Sequence, residues 1–341
     1  MTECIDGGLT ARRAGGPLHA AVVYDSDEAL LDRAVPFVRA GLDGGEEILA
    51  VVPAQVQVVL RSVLGGDGDR VHWRDPDLAH RRTGAAYEDC RTFLADRHAD
   101  GRPTRLLTGN DLDSTAPDRL TAYLRYEAAS TAVFRPYGAP WVCLYDRRRH
   151  PAELVDHVGE VHPQLLAPDG RPVDSAEYVE PARYLETHDG PLSTVPDPVG
   201  LDLVITTPDE LRAVRHRLRD HASSADHRPC AAERVTMAAH EVIGNALRHG
   251  RPPCRVRAWR SSDVFHVRVD DRGSGAGVAT AGYGPPATAA GRGMGLWVAR
   301  QLSDVVHTRT HPAHGTTVEL QFRWRIDAYR VSPRGYDVRA R

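Results

Sequence analysis

HEVIGNALRHG, residues 240–250, is the stretch from which the chain can be read. Glu241 and Asn245 lie four residues apart and Glu241 and Arg248 seven, so on a helix all three share one face. Around them the sequence is apolar (Val235, Met237, Val242, Ile243, Leu247), and Gly250 supplies a helix stop. A polar stripe on such a helix faces water or a ligand.

Outward from this helix, LDLVITT (201–207) reads as a strand and PDELRAVRHRLRDHASS (208–224) as a helix opened by Pro208. CRVRAW (254–259) and FHVRVD (265–270) alternate like the arms of a hairpin. Asp271, Gly273 and Gly275 follow directly: a carboxylate at a strand end can accept from an exocyclic amine, and the glycines allow close approach to a flat ring. Further on, Gly291, Gly293 and Gly295 open the helix LWVARQLSDV (296–305), whose free N–H groups favour a phosphate. Gly315, Thr316 and Thr317 then enter the last hairpin. Taken alone, each piece has a plainer reading as a solvated face, a turn, a glycine-rich helix start or a hairpin turn.

The order E-x-x-x-N, D-x-G-x-G, G-x-G-x-G, G-T-T resembles the N box and the three glycine boxes of the GHKL ATPase superfamily, over roughly residues 200–325. That resemblance implies an α+β two-layer sandwich, the Bergerat fold, holding ATP and Mg²⁺. Asp271 would meet the adenine amine, with Gly273, Gly275 and Thr316 close to the nucleotide. Asn245 would coordinate the magnesium, and Gly291, Gly293 and Gly295 would cradle the phosphates. Residues 276–292 would form a mobile lid from which Arg292 reaches the γ-phosphate. The short lid and the single helix before the N box are similar to the anti-sigma-factor serine kinases of the RsbW type. This branch implies Glu241 as general base on a serine hydroxyl, with a sigma factor and a serine-bearing antagonist as partners. A homodimer fits that branch, though no determinant of one is visible. Two other readings stay open: a sensor histidine kinase with His216 as phosphoacceptor, and a non-catalytic, ATP-dependent partner-binding module.

Composition narrows the chemistry. All 43 basic residues are arginine, so no P-loop lysine, Schiff-base amine or kinase strand lysine is available. A net charge of -3 gives no overall attraction to nucleic acid. The five scattered cysteines form no C-x-x-C pair and read as reduced thiols. No apolar run approaches the roughly 20 residues of a membrane span, and residues 1–17 lack a secretory pattern, so the cytoplasm is the expected compartment.

In the front half, strand patterns HAAVVYD (19–25), EILAVVP (47–53), VHW (71–73), TRLLTG (104–109) and WVCLYD (141–146) alternate with helical ones at 27–42, 119–134 and 151–166. This predicts an α/β domain with a mostly parallel sheet. Residues 168–200, rich in Pro, Gly and Asp, read as a linker, and 327–341 as a loose tail. His19–Tyr24, residues 36–52, Tyr126-Glu127, residues 141–149 and His162-Pro163 resemble the MEDS sensory domain over about residues 17–167, which implies an unnamed small-molecule signal. The combination resembles the RsbA-type regulators of actinobacteria. His19, Tyr24, Glu127, Cys143, Asp146 and His162 are expected to line a pocket at the carboxyl ends of the strands. Packing is the plainer reading for each, Cys143 above all.

Overall fold

Buried strands rich in Val, Leu and Ala build the front half. The computed structural model describes residues 16–76, 82–112, 117–225, 229–275, 277–286, 294–311 and 315–323. Its first sheet uses β1 (His19–Tyr24), β2 (Glu47–Val51), β3 (Val71–Arg74), β4 (Thr104–Gly109), β5 (Trp141–Asp146), β6 (Gln164–Leu166) and β7 (Pro172–Asp174). The order is β3-β2-β4-β5-β1-β6-β7. Strands β1 to β6 run parallel and β7 pairs antiparallel to β6. The helical pattern expected over 151–166 breaks into two short helices, α5 (Ala152–Asp156) and α6 (Val158–Val161), and then strand β6. Pro163 removes a helical donor at that break.

Helices α1 (Asp27–Asp43) and α2 (Ala54–Leu64) cover one sheet face, α3 (Thr83–Ala99) and α4 (Pro117–Phe134) the other. Alternation along the strands decides what each face receives. Ala20, Val22 and Tyr24 join the α1/α2 core, whereas Ala21, Trp141, Cys143 and Tyr145 join the α3/α4 core. Helix α4 is buried almost all round, including Arg125 and Glu127, because its second side meets the back half.

Within 168–200 lie β7 and helix α7 (Pro181–Thr187), whose Tyr184 and Leu185 enter the front core. The chain then crosses the back sheet, where Ser193 Oγ donates to Glu319 at 2.6 Å.

The back half comprises β8 (Leu201–Ile205), α8 (Leu211–Ala225), α9 (Pro229–His249), β9 (Cys254–Ser261), β10 (Val264–Asp271), α10 (Met294–Leu302), β11 (Val305–His311) and β12 (Gly315–Arg323). Its sheet, β11-β12-β10-β9-β8, is antiparallel throughout, and α8, α9 and α10 share a core with one face. Met237, counted above among the apolar positions of α9, is 52% exposed and stands away from that core. On the opposite face Arg268 clamps Glu319 with contacts of 3.0 and 2.5 Å. No described helix is long and apolar enough to cross a membrane.

The two halves are locked together. Arg125 donates to the Tyr283 hydroxyl (3.0 Å) and to the carbonyls of Leu185 (2.7 Å), His188 (2.6 Å) and Ala279 (3.2 Å). Arg82 donates to the Gln301 carbonyl at 2.9 Å, and Gly84 packs against the backbone of Arg300.

Candidate functional site

The period-two alternation that buries Phe265, Val267 and Val269 carries Asp271 onto the same, helix-facing side of β10. Asp271 is 9% exposed and stands opposite Thr316 of β12. Burial pushes its carboxyl above the usual range, while the Gly273 N–H, which donates to Oδ1 at 2.6 Å, works against that rise. The glycines beside it are required by space. A Cβ at Gly273 would lie 2.7 Å from Gly250 Cα, and Gly275 adopts φ +63° beside the hydroxyls of Thr310 and Thr316.

Helix α9 turns Val235, Ala239, Val242 and Ala246 into the core and leaves Glu241 and Asn245 half-buried on its flank, one turn apart. The start of α10 closes on both: a Cβ at Gly295 would lie 2.7 Å from Asn245 Nδ2 and 3.0 Å from Glu241 Oε2. Arg248 donates to Asn245 Oδ1 at 3.1 Å.

A cavity of about 1030 Å³ opens between these elements, at the upper end of the roughly 300–1,000 Å³ of ordinary ligand clefts. Asn245, Asp271, Gly275 and Thr316 line it, over an apolar base that includes Val242 and Leu296. Glu241, Gly273 and Gly295 adjoin these residues but do not themselves line the cavity. The buried Thr316 hydroxyl has no hydrogen-bond partner. Gly291, Arg292 and Gly293 lie outside the described residues.

Sequence reasoning missed the far wall of this cavity. It comes from the front half, through Ala129, Ala132 and Val133 of α4 and Pro181, Ala182 and Leu185 of α7. Residues 277–286, within the stretch expected to be a mobile lid, are pinned there. Tyr283 is buried edge-on to Tyr126 at 5.0 Å between ring centroids, and the Arg300 guanidinium lies 3.9 Å over its ring. Only the aromatic in the loop and the lone arginine in an apolar helix hinted at this in the sequence.

Of the six front residues, four meet. His19, Glu127, Cys143 and His162 bring one donor atom each within 4.8 Å of one another, all buried, in the space between β1, β5 and α4. Tyr24 and Asp146 do not join them, because strand parity sends both to the opposite face, where they pair in register and Asp146 binds Arg148 at 2.7–2.9 Å. The cluster therefore lies under α4, with His19 at the first residue of β1, and not at the carboxyl ends of the strands as expected. Burial favours a neutral Glu127, but the His162 and His19 imidazoles outweigh it and hold the carboxyl at about 2. Burial, with His162 beside it, holds His19 well below the ordinary imidazole range.

The front half is an α/β unit with a buried polar cluster, and the back half is an antiparallel two-layer sandwich with a glycine-walled cavity, consistent with the GHKL ATPase fold. In detail, residues 18–163 match the family described as the methanogen/methylotroph, DcmR sensory domain (MEDS), and residues 204–322 match the histidine kinase-like ATPase domain. The chain carries a MEDS domain followed by a GHKL-like ATPase domain. A crystal structure of the RsbU and RsbW domains of Rv1364c from Mycobacterium tuberculosis is similar at 23% identity over 36% of this chain, with a TM-score of 0.27. The match covers 32% of that chain, about a third of its length. No curated protein matches.

Proposed function

We propose that the back unit, residues 201–326, binds ATP with Mg²⁺ and phosphorylates a serine of a regulatory partner, and that the front unit, residues 17–167, governs it. The observation that carries this reading is the convergence of Glu241 and Asn245 on the start of α10, beside a cavity that Asn245 and Asp271 line. The residues fit the group: a buried acceptor for an amine, an unpartnered Thr316 hydroxyl, and glycine backbone where side chains would clash.

In this assignment Asp271 accepts from the adenine amine, Asn245 is a ligand to magnesium, and Gly295 presents backbone at a helix start. Bound ATP supplies the phosphoryl group, and its Mg²⁺ offsets the charge on the phosphates. Glu241 accepts the proton of the incoming serine hydroxyl, one helical turn from the magnesium ligand. The absence of lysine suits this arrangement, since every contact assigned uses a carboxylate, an amide, a hydroxyl or backbone.

The RsbW-like order of motifs favours a serine-bearing antagonist as acceptor and a sigma factor as the sequestered partner, with activity in the cytoplasm. A histidine kinase reading would need a separate phosphoacceptor helix pair. His216 is instead exposed on α8, a helix of the nucleotide-binding sandwich itself.

The test is Mg²⁺-dependent ATP binding by the wild type, Asp271→Asn and Asn245→Ala, followed by phosphotransfer to serine-bearing antagonist proteins with Glu241→Ala included. The expected outcome is loss of binding in the first two variants, and retained binding without phosphoserine in the third. Acid-labile phosphohistidine on the chain would establish the histidine kinase reading. Binding without transfer to any acceptor would leave a partner-binding module.

A further inference from the structure

We propose that His19, Glu127, Cys143 and His162 form a site for one divalent transition-metal ion of the zinc type, buried between the front sheet and α4. This inference is independent of the kinase reading.

Distances come first. A tetrahedral zinc ion, with bonds of about 2.0–2.3 Å, sets its nitrogen and oxygen donors about 3.4 Å apart, and each about 3.6 Å from a sulfur donor. Here His162 Nε2 and Glu127 Oε2 are 3.5 Å apart, Cys143 Sγ and Glu127 Oε2 3.6 Å, and Cys143 Sγ and His19 Nε2 3.7 Å. These are edges of such a tetrahedron; the His162–Glu127 contact is long for a direct hydrogen bond, while the two sulfur contacts are of a length that an S–H hydrogen bond also takes.

Orientation comes second. Metal-binding side chains are held by bonds from the atoms that face away from the metal. His162 Nδ1 meets the Val158 carbonyl at 2.9 Å and His19 Nδ1 meets Thr131 Oγ1 at 2.8 Å, so both Nε2 atoms point inward. Glu127 Oε1 accepts from the Tyr87 hydroxyl at 2.7 Å, which leaves Oε2 inward. The Thr108 hydroxyl donates to Cys143 Sγ at 3.3 Å, as it would to a thiolate. Each of the four ligand candidates has an outer partner, and the inner atoms have one another. His162 Nε2, on a side chain with no exposed area, has no hydrogen-bond partner at all.

Charge and access agree. With a metal bound, Cys143 would ligate as a thiolate beside the Glu127 carboxylate, and the two charges of one divalent ion would balance that pair. Two imidazoles, a carboxylate and a thiolate form a donor set suited to zinc and its neighbours and unsuited to magnesium or calcium. A cavity of about 540 Å³ reaches His19 from outside, past Pro163 and Arg135, and gives the ion a way in.

The experiment strips the full chain of metal with a chelator and titrates it with Zn²⁺ and with Co²⁺. The expected result is one ion per chain and a tetrahedral cobalt spectrum with a thiolate charge-transfer band. Tyr87→Phe keeps every ligand and should weaken binding about 10–100-fold, as loss of an outer partner does. Cys143→Ala should abolish the thiolate band, and Cys90→Ala, a buried cysteine outside the cluster, should leave it. Wild-type protein that binds no cobalt, or binds it without the thiolate band, overturns the proposal. So does a band that survives Cys143→Ala. Should that variant fail to fold by circular dichroism, the wild-type spectrum and Tyr87→Phe decide alone. A cluster held only by a His162–Glu127 ion pair would show neither the band nor the Tyr87→Phe effect.

Discussion

Arg125 of the front half donates from Nε to the hydroxyl of Tyr283, in the loop beside the candidate nucleotide cavity, at 3.0 Å. Both side chains are buried, so the bond is made where water cannot replace it. Tyr283→Phe deletes this acceptor while keeping the ring. A hydrogen bond to a charged group contributes about 1.5–3 kcal/mol, so amide exchange over residues 277–286 should quicken by about 10–100-fold. Unchanged exchange there would show that the loop is held by other contacts.

Gly295→Ala separates function from stability. Alanine favours a helix by about 1 kcal/mol over glycine, yet its Cβ would lie 2.7 Å from Asn245 Nδ2 and 3.0 Å from Glu241 Oε2. We expect an unfolding midpoint within a few degrees of the wild type and at least a tenfold loss of ATP affinity, the equivalent of about 1.4 kcal/mol. Isothermal titration and thermal melts read the two quantities, and full affinity would contradict the assigned crowding.

Acid should unfold the back sheet through Glu319. Burial alone would raise its carboxyl, but His266, Ser193 and Arg268 outweigh that and lower it from the ordinary 4.5 to about 2. A depressed carboxylate contributes stability above its unfolded value and loses it as pH falls, here between about 4.5 and 2. The shift corresponds to roughly 3 kcal/mol. Glu319→Gln should lower stability at pH 7 and flatten the acid limb of a denaturation series. An acid limb as steep as that of the wild type would assign it to other carboxylates, with Glu127 the first to examine.

The contact between halves depends on a missing side chain at Gly84. A Cβ there would press on the Arg300 carbonyl oxygen and lie 2.6 Å from the Tyr126 hydroxyl. Gly84→Val should force α3 away from α10 and convert a single unfolding transition into two by calorimetry. A single, unshifted transition would mean that the contact adjusts at little cost.

Much of the back half was legible because its signals are local. Alternation in FHVRVD places Asp271 on the core-facing side, and four-residue spacing puts Glu241 beside Asn245. The glycines of D-x-G-x-G stand where side chains would clash. Parity could also have separated Tyr24 and Asp146 from His19 and Cys143, since even and odd positions of paired strands face opposite ways. What periodicity cannot carry is contact between distant segments. Arg125 and Tyr283 are far apart in sequence, and only the assembled fold makes α4 and α7 a wall of the cavity. The stretch 168–200 looked like a linker because its ordered pieces are short and its apolar residues few, yet Tyr184 and Leu185 anchor it.

Helix α4 belongs to two places at once. Glu127 points into the four-residue cluster, while Ala129 and Val133, two and six residues further on, face the large cavity of the other half. Two ligands that meet one rigid element are subject to thermodynamic reciprocity. Whatever factor an occupant of the cluster imposes on nucleotide affinity, the nucleotide must return to that occupant unchanged. The front half can therefore be interrogated from the opposite end of the molecule, by titrating the cluster with the cavity filled and then empty.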